Sequence, residues 1–124
     1  MPPKQKHVTD AELKVLKLLW ATGRLTARSI RERLYSRGGD SELATVQKLL
    51  QRLEHKGMVL RDRSSFAHEF EAGVTQADVV EHEIESLAQK LTDGSMVPLL
   101  MHAVRNADLT PKQRRELRAL LNKR

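Results

Sequence analysis

The sequence predicts a mainly α fold with one small β-hairpin, in which three helices and the hairpin form a head and three further helices follow. Two observations carry this prediction. Apolar residues recur at helical spacing in six segments, each opened or closed by a capping residue or a break. Between the third and fourth segments, residues Met58 to Arg63 and Ala67 to Ala72 are short and rich in β-formers or aromatics, and Ser64, Ser65 and Phe66 separate them.

The first helix opens at Thr9, with Glu12 three residues on, the pairing that lets side chain and backbone satisfy each other's unpaired groups. Leu13, Leu16, Leu19 and Trp20 give it one apolar face and Gly23 ends it. The single Trp at this spacing reads as core. A link through Leu25 leads to Thr26, the N-cap of a second helix that buries Ala27, Ile30 and Leu34. Arg37 to Asp40 form a turn. The third helix runs from about Glu42 to Lys56, with Val46, Leu49, Leu50 and Leu53 on one side, and Gly57 stops it. Three helices followed by a two-stranded wing is the order of a winged helix-turn-helix, assigned here to residues 1–74.

Residues 75–124 read as a helical dimerisation region. Val80, Ile84, Leu87 and Leu91 make a heptad-like seam on a helix opened by Thr75 and broken at Asp93-Gly94. Ser95 is expected to cap a short helix whose apolar residues, Leu100 and Val104 among them, cover nearly every face and should be enclosed. The last helix opens with Thr110 and Pro111 and presents Leu117, Leu120 and Leu121. Some 50 residues in three short helices cannot enclose a core alone, so a second copy is expected to cover them. Met1 to Lys6, with two prolines and two lysines, reads as a disordered basic arm.

Charge separates the same parts. Residues 1–74 carry 14 basic and 9 acidic side chains, residues 75–108 carry 2 and 6, and residues 109–124 carry 6 and 1. A basic head and a pI of about 10.0 suit a polyanionic partner. On a helical wheel Ala44, Lys48, Gln51 and His55 lie opposite the apolar face of the third helix, with Thr45 and Arg52 flanking. In a helix-turn-helix that strip enters the major groove, where Gln can bond an adenine edge and Arg or Lys a guanine. Arg61, Arg63 and His68 would bring cations from the wing to the phosphate backbone.

The absence of cysteine excludes disulfides, Cys-based zinc sites and thiol catalysis, and fits a cytoplasmic protein. The five histidines, His7, His55, His68, His82 and His102, form no helical i, i+4 pair for a metal. Glu81-His-Glu-Ile-Glu85 reads as a solvated face, and no glycine-rich phosphate loop is present. Neither an enzyme nor a bound cofactor is expected. The longest uncharged apolar run, Met96 to Met101, is too short to cross a bilayer, and Met1 to Val8 lacks the core of a secretion signal.

Thr9-Asp-Ala-Glu-Leu-Lys-Val-Leu-Lys-Leu-Leu-Trp20, Thr45-Val-Gln-Lys-Leu-Leu-Gln-Arg-Leu-Glu-His-Lys-Gly-Met-Val59, Asp93-Gly94-Ser95 and Leu109-Thr-Pro to Leu121 together resemble the BlaI/MecI/CopY family of bacterial repressors. The resemblance implies a homodimer on a palindromic double-stranded DNA operator, with Thr45, Lys48, Gln51 and Arg52 on the reading helix. Ala44 and Gln47 stand where some members carry basic residues, and the cysteine motif of the copper-responsive members is missing. In the antibiotic-responsive members a membrane-bound sensor protease triggers a cut at an Asn-Phe bond. The pair at that place here is His102-Ala103. A winged helix acting only as a protein-interaction adaptor, without DNA contact, is the alternative reading.

Overall fold

The computed structural model describes residues 7–123, so the arm at Met1 to Lys6 lies outside the described residues. The element order is α1 (Asp10–Thr22), β1 (Leu25–Thr26), α2 (Ala27–Leu34), α3 (Asp40–His55), β2 (Val59–Asp62), β3 (Glu69–Ala72), α4 (Gln76–Thr92), α5 (Val97–Asn106) and α6 (Pro111–Asn122). The expected mainly α fold with a small hairpin is present. The chain divides into two compact units, one ending at Glu83 and one beginning at Ile84.

In the first unit the helix caps form where expected. Thr9 accepts from the Glu12 amide at 3.2 Å while Glu12 accepts from the Thr9 amide at 2.9 Å. Thr26 caps α2 through the Ser29 amide at 3.1 Å. Arg37–Asp40 was expected as turn, but α3 already begins at Asp40, where Asp40 and Glu42 face the positive end of the helix dipole. The hairpin pairs Val59 with Ala72 and Asp62 with Glu69. Sequence reading missed β1, whose Leu25 and Thr26 pair with Phe70 and Glu69 and extend the wing to a three-stranded sheet in the order β1-β3-β2.

Helices and sheet close on one core. Val15, Leu16 and Leu19 of α1, Ile30 of α2, Val46, Leu49, Leu50 and Leu53 of α3, and Met58, Val59 and Phe70 around the wing are all buried. Val79 joins them from α4, whereas the adjacent Val80 is exposed. Trp20 packs against this cluster and its indole N–H donates to the Val74 carbonyl at 2.9 Å, so it belongs to the core.

The second unit buries Ala88 but exposes most of its large apolar residues. Ile84, Leu87 and Leu91 of α4, Leu100 and Val104 of α5, and Leu120 and Leu121 of α6 are all exposed in the single chain, and Leu117 is half-buried. The enclosure expected of α5 is therefore absent from the protomer, where the helix buries no residue. Ser95 does not cap it either. Asp93 and Gly94 both adopt positive φ, which turns Ser95 back so that its amide donates to the Thr92 carbonyl at 3.1 Å, and Met96 becomes the N-cap without a side-chain bond. Thr110 caps α6 as expected, in a reciprocal pair with Gln113.

Candidate nucleic-acid interface

The α3 strip lies on the outside of the head because its opposite face is the core. Ala44, Thr45, Gln47, Lys48, Gln51, Arg52 and His55 are exposed, and Val46, Leu49, Leu50 and Leu53 are buried. A groove runs beside that strip. Its walls are the start of α2 with Thr26, Ala27 and Arg28, the α3 residues Leu43, Ala44, Gln47, Lys48 and Gln51, and the wing residues Arg61, Phe66, Ala67, His68 and Phe70.

Of the residues singled out in the sequence, Ala44, Lys48, Gln51, Arg61 and His68 meet in this groove. Arg52 lies outside it, on a shallow depression shared with Gln51, His55 and Lys56. Thr45 is exposed on α3, and its hydroxyl donates to the Ser41 carbonyl at 3.1 Å. Arg28 and Phe66 were missed. Arg28 carried no signal because it belongs to α2, and only the fold brings it beside α3.

The two wing arginines differ. Arg63 is largely exposed, with its guanidinium 3.7 Å from Glu54. Arg61 is mostly covered: its guanidinium lies 3.1 Å from the other Glu54 oxygen and 4.8 Å from the centroid of the Phe70 ring. Both contacts favour a held cation, through charge and through the ring quadrupole. Arg61 thus joins the end of α3 to the wing, while Arg63 keeps a head free for solvent.

The wing is also tied from the other side. Arg24 reaches Asp62 at 2.6 Å and Glu71 at 3.3 Å, one acid on each strand. Asp62 accepts from the Ser64 amide at 2.8 Å. Bonds from Ser64, helped by the charge of Arg24, hold the Asp62 carboxyl below its usual range.

A buried ion pair anchors the far end of α3. Glu12 is fully buried, and its carboxylate accepts from Lys56 Nζ at 2.6 Å. Lys56 also donates to the His7 carbonyl at 2.9 Å. Burial pushes the Glu12 carboxyl up, but the bonds and charge of Lys56, with the bonds from Thr9, more than offset this and hold it below its usual range.

The penicillinase repressor family model matches residues 8–123. The chain belongs to that family. Family members are repressors and not enzymes. Relatives include the penicillinase repressor of Staphylococcus aureus, 26% identical over 98% of this chain and 96% of that protein. The methicillin resistance regulatory protein MecI of Mammaliicoccus sciuri is 25% identical over the full length of both. The penicillinase repressor of Bacillus licheniformis is 22% identical over 95% of this chain and 91% of that one. Among solved structures, the solution structure of the DNA binding domain of the repressor BlaI superposes with a TM-score of 0.53 at 24% identity, covering 61% of this chain and 92% of that domain. That likeness agrees with the winged helix fold of the head.

Proposed function

We propose that this chain is a DNA-binding transcriptional repressor that acts as a homodimer on a palindromic operator. The observation that carries the reading is the groove in which the exposed face of α3, Arg28 and the wing converge, cationic and open on the side away from the core. Membership of a repressor family supports it.

In this reading α3 enters the major groove. Thr45, Lys48, Gln51 and Arg52 meet base edges and nearby phosphates, with Lys48 suited to guanine and Gln51 to adenine. Arg63 contacts phosphate. Arg61 adds its charge to the phosphate side while holding the wing against α3. The exposed apolar residues of α4, α5 and α6 are the surface through which a second copy pairs, and pairing sets two heads at the spacing a palindrome requires. Among the described residues no helix is long and apolar enough to cross a membrane. The proposed place of work is the cytoplasm.

Release of repression is proposed not to use a cut at His102-Ala103 by a protease specific for Asn-Phe. Ala103 offers a methyl where such a pocket expects a ring, and the bond lies inside α5, where the His102 carbonyl accepts from Asn106 at 2.8 Å. Cutting there requires local opening as well. Following the full-length protein by immunoblot in cells treated with a cell-wall antibiotic tests this, and a fragment ending at His102 that accompanies derepression refutes it.

The binding reading is tested by gel shift on genomic fragments over a salt series. A log–log loss of affinity with salt and a preference for one fragment are expected. Absence of any salt-dependent shift favours the adaptor.

A further inference from the structure

We propose that Phe66 is a DNA-contacting residue whose ring packs against the deoxyribose walls of the minor groove beside the major groove taken by α3. The inference rests on the DNA-binding reading above and adds a contact that carries no charge.

The chain has two phenylalanines with opposite fates. Phe70 is buried in the core, while Phe66, in the turn between β2 and β3, is 106% exposed. Burying such a ring is favourable, and at the wing tip the head obtains none of that gain. The tip is held from below, because Asp62 fixes Ser64 and Arg24 bridges Asp62 to Glu71.

The surroundings decide the occupant. Phe66 lines the same groove as Arg28, Lys48 and Arg61. An apolar ring set among cations suits a partner that alternates anionic and apolar surface, as duplex DNA does with its phosphates and sugars. With α3 in the major groove, a wing beside it reaches across the backbone to the next minor groove. That groove is about 6 Å wide, so a ring can enter edge-on. Minor-groove binders place apolar side chains in that groove, phenylalanine among them, there as wedges between base steps rather than against the sugars.

The test uses the full chain and a duplex that the wild-type protein selects from a random library. Phe66→Ala is expected to weaken binding about tenfold, or about 1.4 kcal/mol, at every salt concentration. Its log–log salt line should run parallel to that of the wild type, because no cation is lost. Phe66→Leu should recover most of the affinity. Hydroxyl-radical cleavage, which attacks sugars from the minor groove, should lose its protected patch in Phe66→Ala, while protection of guanine N7 in the major groove persists. Unchanged affinity and footprint in Phe66→Ala overturn the inference and leave the DNA-binding reading standing. An altered sedimentation coefficient with intact DNA binding also overturns it, since the ring then serves a protein contact. Failure of the wild type to select any duplex removes both.

Discussion

At Glu12 one carboxylate closes the capping box of α1 and holds the ammonium at the end of α3. Only the first role could be read locally, since the cap partner is three residues away and Lys56 is 44 away. Lys56→Ala leaves a buried carboxylate with only its bonds from Thr9 to offset its burial, and is expected to cost about 3 kcal/mol in urea unfolding at neutral pH. The pH dependence separates this from lost packing. In the wild type the folded carboxyl lies below its unfolded value, so its contribution is present above about pH 4.3 and is lost as pH falls through the folded value. In Lys56→Ala the folded value should rise toward or past the unfolded one, so the stability gained as pH rises through that region should shrink or reverse. A deficit that stays constant from acid to neutral pH would contradict the account. The proposed DNA contacts also divide at this scale. Lys48→Ala or Gln51→Ala should lose about 1 to 3 kcal/mol and relax preference at one base position, whereas Arg63→Ala should weaken all duplexes alike and flatten the salt slope by about one unit. If neither class changes affinity or selectivity, α3 is not the reading helix.

At the scale of elements, the helices and their caps were readable because the apolar repeat and the capping pairs are local. The strand β1 was not, because two residues carry no alternation and their pairing depends on Phe70 and Glu69, far along the chain. The groove was half readable: the wheel of α3 exposes Lys48 and Gln51, but no periodicity places Arg28 or Phe66 beside them. The link between α3 and β2 shows how a stop signal sets direction. Gly57, at φ 76, donates to the Glu54 carbonyl at 3.0 Å while Met58 donates to Leu53 at 2.9 Å. Leu53 and Met58 are both buried, the apolar contact that accompanies this closing motif. The turn therefore aims β2, and with it the wing, from the end of α3. Gly57→Ala must place a Cβ in the left-handed region and is expected to cost about 1 kcal/mol. Thermal unfolding gives the loss, and amide exchange in β2 should quicken. Full retention of stability would mean that the turn relaxes without strain.

For the whole molecule, α4 is where the proposed partner would pack. Val79 faces the core of the head, while Val80, Ile84, Leu87 and Leu91 form a separate apolar line that the single chain leaves 41% to 63% exposed. Spacing placed Val80 on this line, but it did not reveal that the neighbouring Val79 joins the core. Leu100, Val104, Leu120 and Leu121 add exposed apolar surface on two further helices of the second unit. An obligate homodimer commonly buries some 2,000 Å² or more, and three helices presenting apolar side chains are the means of supplying it. Charge is compatible with pairing between copies, because residues 75–108 have a balance of −4 and residues 109–124 one of +5. In the proposed dimer Leu87→Asp would place an unpaired carboxylate at the seam, with an expected loss of association of about 3 kcal/mol or more. Sedimentation equilibrium over a range of concentrations measures that shift, and salt should weaken the wild-type dimer modestly if the opposed charges meet. Operator affinity should fall as dimerisation is lost, because a lone head loses the gain from binding two half-sites together. The decisive control is the unaltered protein. A wild-type chain that sediments as a monomer at micromolar concentration would leave the apolar line without its proposed occupant, and Leu87→Asp would then change neither mass nor DNA binding.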